Sequence, residues 1–169
     1  ACATLERLSK DSLERSTSLD MLRGYEGMAA AAYFERLGLC FPDTIPFRER
    51  TRQPPRDAAN SILSWSYSIL QGEIDAAVRV HGLDPAIGFL HSVSHGTPSL
   101  SLDLLEPLRA PVCDMLALHL VNHKILKPEN FEFNAEDGGT YLKADARKDF
   151  FIAYENAMTR IDMSEYQER

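Results

Sequence analysis

The sequence predicts a mainly α-helical protein with one domain, and three observations carry that prediction. Apolar residues recur at helical spacing over long stretches, and no strand–helix alternation typical of α/β proteins interrupts them. Helix start and stop signals flank these stretches, such as Asp57 before one of them and Gly82 after it. A length of 169 residues with 44% hydrophobic residues is enough for one core.

The predicted elements follow in chain order, with a proline-rich loop at residues 40–56. Thr17 with Asp20 is expected to cap the second helix, and Thr97-Pro98 to start the fourth. Pro107 and Pro111 should kink or interrupt the chain after that fourth helix. The helices are expected at about residues 4–14, 19–37, 58–80, 98–106, 112–126 and 144–160, and a short β-hairpin near residues 131–142.

Charge and composition narrow the class of protein. The net charge of −7 argues against a general nucleic-acid binder, because DNA affinity depends on neutralising phosphates. Between Pro46 and Arg56, however, four arginines stand against one acid. No apolar run is long enough to span a membrane and no signal-peptide pattern opens the chain, so we expect a cytoplasmic protein without a membrane partner. The three cysteines are widely spaced and are expected to be reduced thiols: Cys2, Cys40 and Cys113.

The residues that indicate chemistry are one histidine and three acids. His91 ends the segment G-F-L-H, and Asp103 and Glu106 follow in S-L-S-L-D-L-L-E-P-L-R, three residues apart and so on one helix face. Glu26 lies in L-R-G-Y-E-G-M-A-A-A-A-Y-F, a helix that is apolar almost all round and is therefore predicted to be central and buried. A carboxylate there should bind a metal ion, stay protonated or pair with an arginine such as Arg23. Imidazole and carboxylates together are typical ligands of divalent cations.

Several motifs in the same order resemble one known family. The motifs are, in chain order, R-T-R-Q-P-P-R-D-A-A-N-S-I-L-S-W-S-Y, then G-L-D-P-A-I-G-F-L-H-S, and then S-L-S-L-D-L-L-E-P-L-R. This order resembles the helical catalytic domain of the CRISPR-associated adaptation integrase, the universal "number one" Cas protein, from about residue 18 onward. The resemblance implies that residues 1–169 form one metal-dependent nuclease/integrase domain, without the N-terminal β-rich domain that family members carry.

The resemblance also implies roles for individual residues. Glu26, His91 and Glu106 match the metal ligands, for Mg²⁺ or Mn²⁺, and Asp103 matches an acidic position that supports the ligands or binds another ion. The implied partners are double-stranded DNA (the spacer fragment and the CRISPR repeat), the small companion Cas protein, and a second copy in the full-length family. The DNA contacts are expected at Arg48, Arg50, Arg52, Arg56 and Asn60, the last with site support as an alternative.

Three other interpretations stay open at this point. A transposon-encoded integrase of the same superfamily would carry the same site, and a non-catalytic DNA-binding or assembly module would share the fold. An unrelated helical domain would instead bind metal through His119 and His123, which are four residues apart but lack the glutamate of H-E-x-x-H. His95, in a polar loop, could touch substrate.

Overall fold

A computed structural model describes residues 2–92, 94 and 96–160, and there the regular structure is helical apart from one small sheet. A π-helical segment, Arg109–Asp114, joins the fourth and fifth helices, and the two strands pair antiparallel. The mainly α prediction and the hairpin near residues 131–142 are therefore confirmed. The elements are α1 (Cys2–Arg15), α2 (Leu19–Gly38), α3 (Ala58–Val80), α4 (Ser99–Leu108), α5 (Met115–Asn122), β1 (Phe131–Asn134), β2 (Gly139–Leu142) and α6 (Arg147–Arg160).

Helix α3 is the central element, since it packs against α4, the π-helical segment, α5 and β2. It begins after Asp57, whose carboxylate accepts a hydrogen bond from the Asn60 amide at 2.7 Å. It ends where Gly82 takes the left-handed conformation, with φ of 73°. The amides of Gly82 and Leu83 then donate to carbonyls of the last turn, at 3.0 and 3.1 Å, in the Schellman pattern. Both ends of α3 are thus fixed by the residues that predicted them.

The core lies where α3 meets α5 and α6. Ile62, Leu63, Leu120 and Phe150 are fully buried there, and the Trp65 ring stacks on Phe150 with 5.1 Å between centroids. Each such side chain contributes about 1.5–3 kcal/mol through the removal of apolar surface from water. This core holds α3 rigidly and leaves its other face to the candidate site.

The prediction that α2 is central and buried is wrong. Only Leu37 of α2 is buried, Met21 and Met28 are exposed, and the main packing partner of the helix is α1. A helix that is apolar all round gives no direction for its burial, and here small alanines supply much of that apolar character. The capping residue is Ser18 rather than Thr17, since the Ser18 hydroxyl accepts the Met21 amide at 3.2 Å.

The start of α4 also differs from the expectation. The helix begins at Ser99, and Pro98 takes the capping position without a side-chain hydrogen bond. Thr97 does not cap the helix, because its hydroxyl accepts a hydrogen bond from Ser94 at 2.7 Å. The buried Ser99 hydroxyl donates to the Ser92 carbonyl at 2.9 Å, so contacts with the preceding loop fix this end.

The predicted interruption after α4 takes the form of the π-helical segment. Pro107 lies inside α4 and Pro111 inside the segment, and neither has an N–H to donate to the helical ladder. The wider helical turn that results is the kind often found at functional sites. In this register, residues five apart share a face, which places Arg109 and Asp114 together.

Two expectations concern thiols and membranes. Cys40 and Cys113 are free, and burial raises the pKa of the Cys113 thiol to about 12, which keeps it protonated and unreactive. In the part of the chain that the structure describes, we find no helix long and apolar enough to span a membrane.

Candidate functional site

The proposed ligand residues line one cleft, which we call the central cleft. Glu26 from α2, His91 from the loop before α4, and Glu106 from α4 all face this space of about 600 Å³. Arg109 and Asp114 of the π-helical segment form another part of its wall. Within residues 2–92, 94 and 96–160, no three His, Cys, Asp or Glu side chains are close enough to form a ready metal cluster. The fold therefore brings the three residues to one cleft without drawing them into contact.

His91 is held by Asp103, whose side chain is fully buried. The Asp103 carboxylate contacts the His91 Nδ1 at 2.6 Å and accepts the His91 amide at 2.9 Å. Its second oxygen accepts the amides of Phe89 and Leu90, at 2.6 and 3.0 Å. Burial opposes ionisation, but the His91 ring and these amides outweigh it and lower the pKa of Asp103 to about 2. In neutral His91, the hydrogen bond at Nδ1 leaves Nε2 as the lone-pair nitrogen.

The backbone of this loop is clamped from a second side by α2. The Arg23 guanidinium donates to the Leu90 carbonyl through Nε at 3.1 Å and Nη2 at 2.6 Å. Gly88 is needed for the close approach to α4, because a Cβ there would lie 2.7 Å from the Asp103 carboxylate and 2.8 Å from Ser99. The position of His91 is thus set by residues from two helices.

Glu26 is exposed, contrary to the expectation of burial in an apolar face. The alternative of an ion pair with Arg23 is also wrong, because Arg23 bonds to the Leu90 carbonyl and to Asp20 at 3.0 Å. Arg23 and Glu26 are three residues apart on α2 and so share a face. Since Arg23 contacts the His91 loop, that face is turned towards His91, and Glu26 lines the central cleft.

Glu106 is paired with the arginine three residues further along the chain. The Nη1 of Arg109 lies 2.7 Å from one carboxylate oxygen of Glu106 and 2.8 Å from the other. The Arg109 guanidinium lies over the ring of Tyr67, 4.9 Å from its centroid, and 6.0 Å from that of Phe34. Burial lowers the affinity of Arg109 for its proton, but the charge of Glu106 prevails and raises the Arg109 pKa.

A buried acid forms the floor of the central cleft. Asp114 is 2% exposed, and its two oxygens accept hydrogen bonds from the hydroxyls of Tyr33, at 2.7 Å, and Tyr67. Burial raises the pKa of Asp114, although both tyrosines and the nearby arginines act in the opposite direction. The Tyr67 ring lies between two guanidinium groups, since Arg50 is 5.2 Å from its centroid.

The arginine-rich loop divides into one internal and three exposed arginines. Arg50 is half-buried and donates to the carbonyl of Thr51, to Asn60 at 2.9 Å and to Ser64 at 3.0 Å. Asn60 is fully buried, and its amide group also bonds to the Thr51 amide, the Glu49 carbonyl and Asp57. This arrangement matches the site-support alternative for Asn60 and leaves it no polar atom for DNA. Three arginines of the loop stay exposed: Arg48, Arg52 and Arg56.

The remaining histidines lie away from the central cleft or outside the described residues. His119 on α5 and His123 just after its last residue are exposed, with 4.5 Å between ring centroids, and neither lines the cleft. No further acid or thiol completes a metal cluster with them among the side chains that the structure describes. The expectation for His95 falls outside the described residues.

Sequence reasoning missed three contributors to the cleft: Arg109, Asp114 and Tyr67. Arg109 could have been found from its i, i+3 spacing to Glu106. Asp114 lies in the run P-V-C-D-M-L, where a buried acid among apolar residues is itself a signal. The direction of the Asp114 side chain depends on the π-helical register. The two prolines predicted an interruption of the helix but not that register.

Comparison with known proteins identifies the family. The family model described as "CRISPR associated protein Cas1" matches residues 1–156. The chain is 41% identical over 155 residues to "CRISPR-associated endonuclease Cas1 3" of Thermus thermophilus, covering 90% of this chain and 46% of that protein. The chain therefore spans about half the length of the curated relatives it matches.

Solved structures agree with this result. A Cas1 protein from Thermotoga maritima superposes with a TM-score of 0.87 at 29% identity, over 94% of this chain and 50% of that one. A casposase bound to integration product superposes with a TM-score of 0.79 at 26% identity, over 86% of this chain and 42% of that one. A chain of the "Cas6-RT-Cas1--Cas2 complex" superposes with a TM-score of 0.86 at 28% identity, over 95% of this chain and 18% of that one. The chain therefore belongs to the Cas1 family of CRISPR-associated proteins.

Proposed function

We propose that this chain carries the active site of a divalent-metal-dependent DNA endonuclease and integrase of CRISPR adaptation. The observation that carries the proposal is His91, oriented by Asp103 inside a cleft that Glu26 and Glu106 also line. Relatives named CRISPR-associated endonucleases support the phosphodiester chemistry. The casposase bound to integration product supports strand transfer as the reaction.

The residues fit a divalent cation by donor type and by location. One imidazole nitrogen and two carboxylates are available in the central cleft, a donor set that suits Mg²⁺ or Mn²⁺. Glu26, His91 and Glu106 would hold the ion, which when bound would stabilise charge on the phosphate and lower the pKa of an attacking hydroxyl or water. Asp103 accepts four hydrogen bonds from the loop and so serves as a positioning residue rather than as the ligand of another ion.

The chain's own residues would prepare the site in two ways. Asp103 keeps the lone pair of His91 on Nε2, away from the carboxylate, so the ring can bind a cation without changing tautomer. Arg23 on α2 bonds to the same loop, which would limit how far Glu26 must move to reach an ion bound by His91. Orientation of this kind lowers the entropic cost of assembling a reactive complex.

The exposed arginines of residues 46–56 are proposed to contact the DNA backbone. Arg52 lines the central cleft, and Arg48 and Arg56 lie on the same loop, whereas Arg50 is already committed to internal contacts. Reversal of the charge at these three positions should weaken binding of any DNA sequence and reduce the salt slope, by about 0.9 per lost duplex phosphate contact. Arg147→Glu on α6, an exposed arginine outside the cleft, is the matched control for each of the three reversals made singly. An unchanged salt slope in the triple variant would remove the loop from the DNA interface.

Partners follow from the relatives rather than from this chain alone. The "Cas6-RT-Cas1--Cas2 complex" contains the fold of this chain, so we propose a small companion Cas protein as a partner. Insertion of both ends of a DNA fragment needs two active sites at a fixed separation, which a symmetric dimer would provide. A prokaryotic cytoplasmic setting is consistent with the bacterial relatives.

The casposase similarity supports a second candidate, a transposon-type integrase with the same site. The two candidates differ in the DNA target rather than in the chemistry. Integration assays that offer a CRISPR repeat and a transposon target site in the same plasmid would separate them, since the preferred insertion site reports the function directly.

The activity itself is tested with single variants of the ligand residues. Glu26→Gln, His91→Ala and Glu106→Gln should each reduce Mn²⁺-dependent cleavage and strand transfer by about 100-fold or more, with small changes in thermal stability. His123→Ala, an exposed histidine outside the cleft, is the control and should keep full activity. A chain with normal activity after loss of His91 would end the proposal, and so would activity that survives removal of all divalent ions.

A further inference from the structure

The contact between Arg109 and Glu106 has an unusual form. A single nitrogen, Nη1, lies 2.7 and 2.8 Å from the two oxygens of the Glu106 carboxylate. It is therefore nearly equidistant from both, which is the position that a chelating cation takes on a carboxylate. The positive charge of Arg109 therefore occupies the place where a cation would lie if the Glu106 carboxylate bound it through both oxygens.

This pair differs from the ordinary surface pairs of the same chain. The side chains of Arg109 and Glu106 are 17% and 31% exposed, whereas those of Lys10 and Glu14 are 74% and 57% exposed and 3.8 Å apart. Exposed pairs contribute little because water screens them and long side chains lose entropy. The Arg109 side chain is held in place by its position over the rings of Phe34 and Tyr67.

A buried acid also lines the cleft near Arg109. Asp114 is 2% exposed and is fixed by the hydroxyls of Tyr33 and Tyr67, and the charges of Asp114 and Arg109 interact. The π-helical segment creates this arrangement, since residues five apart would lie on different sides of an α-helix. Arg109 thus pairs with one carboxylate, that of Glu106, and feels the charge of a second, that of Asp114.

We infer that Arg109 is a resident counter-ion that occupies the cation position of Glu106 and must release it before Glu106 binds a divalent ion. The inference rests on the proposed function, because it requires Glu106 to be a ligand. In the absence of metal, Arg109 neutralises Glu106 and lowers the repulsion between the acids of the cleft. The same contact makes ion binding weaker than the three ligands alone would allow.

The test is the affinity of the 169-residue chain for Mn²⁺, measured by isothermal titration calorimetry. Arg109→Gln removes the competing charge and should tighten Mn²⁺ binding about tenfold, as expected for loss of a partly buried charge contact. Arg109→Lys keeps the charge but not the planar fork and the ring stacking, and should tighten it only about threefold. Arg147→Gln removes an exposed arginine that lies over Trp65, outside the cleft, and should leave the affinity unchanged.

Glu106→Gln separates the failure of this inference from the failure of the proposed function. If Glu106→Gln weakens Mn²⁺ binding but Arg109→Gln and Arg109→Lys do not tighten it, Arg109 is not a competitor and only the inference is overturned. If Glu106→Gln leaves Mn²⁺ binding unchanged, the ion binds elsewhere and both proposals are overturned. A double-mutant cycle completes the test, since Arg109→Gln should lose its effect in the Glu106→Gln background. Arg109→Lys keeps the test open if Arg109→Gln does not fold.

Discussion

The His91 loop and helix α2, which carries Glu26, line the same cleft, but they are held very differently. Both oxygens of buried Asp103 bond to the backbone and ring of the loop, and Arg23 holds it from the opposite side. Glu26 lies on α2, a helix in which Leu37 is the one buried residue that the structure describes. One side of the site is therefore fixed in advance, whereas the other is exposed.

The difference indicates how such a site can serve a large substrate. In the proposed metal site, a histidine with a fixed tautomer would define where the cation lies, and catalysis would need this precision. Under the proposed function, an exposed acid on a lightly packed helix would be able to adjust as DNA and an ion bind, since regions with few buried contacts are the ones that open locally. The following changes test this contrast, starting with the largest expected effect.

Asp103→Ala should be the most damaging change to the fixed side. It leaves the amides of Phe89, Leu90 and His91 without their acceptor in a partly buried place, and we expect a loss of about 3 kcal/mol in unfolding free energy. Urea denaturation measures the loss, and hydrogen exchange should show faster exchange at those three amides. Asp20→Ala, which removes an exposed acid paired with Arg23, is the control and should cost less than about 0.5 kcal/mol. Equal losses in the two variants would contradict a fixed loop.

Gly88→Ala tests the same loop from the backbone side. The added Cβ would lie 2.7 Å from the Asp103 carboxylate and 2.8 Å from Ser99, so the loop or α4 must move. We expect a loss of about 2 kcal/mol in unfolding free energy, together with weaker Mn²⁺ binding because His91 is displaced. Denaturation and calorimetry measure the two effects. Wild-type behaviour in both would mean that the loop adapts easily, and the contrast with α2 would disappear.

Gly27→Ala makes the corresponding change next to Glu26 and should have the opposite sign. Apart from Gly27, its two chain neighbours and the adjacent backbone of α2, no atom of the described residues lies within 4 Å of the new Cβ, and Gly27 is exposed within a helix. Alanine should therefore stabilise the chain by up to about 1 kcal/mol, because glycine is the poorer helix former. Thermal denaturation measures the gain. A loss instead would show that α2 has a close neighbour at this position and is not the open side of the site.

The sequence predicted α3 well because the relevant signals are local. Asp57 and Gly82 mark the two ends of α3 through hydrogen bonds to residues within five positions. The shared face of Asp103 and Glu106 follows from helix geometry alone. Ordered motifs added the identity of the family, which no periodicity supplies.

The errors come from features that depend on distant partners. Glu26 was expected to be buried because its helix is apolar, but burial depends on what packs against that helix, and α1 covers only part of it. Asn60 and Arg50 were assigned to DNA, although they bond to each other and to the loop. Local sequence does not encode such tertiary pairings.

The floor of the cleft offers the smallest test, which asks whether the fixed side extends to Asp114. Burial raises the pKa of Asp114 above its ordinary value of 3.8, against the hydrogen bonds from Tyr67 and Tyr33. A raised pKa in the folded state contributes stability that is complete below 3.8 and is lost as the pH rises through the folded-state pKa. The difference in unfolding free energy between the wild type and Asp114→Asn should therefore shift in favour of the wild type as the pH falls from about 7 to about 4.

Urea denaturation at a series of pH values measures this shift. The informative quantity is how the difference in unfolding free energy between the wild type and the variant changes with pH, rather than its value at one pH. Asparagine cannot accept from both tyrosine hydroxyls as the carboxylate does, so a constant loss is expected at every pH. Asp145→Asn, an exposed acid before α6, controls for the loss of one negative charge. If the stability difference from the wild type changes with pH equally in Asp114→Asn and Asp145→Asn, water reaches Asp114 in the folded state. The floor would then belong with the open side of the cleft, and only the His91 loop would be fixed.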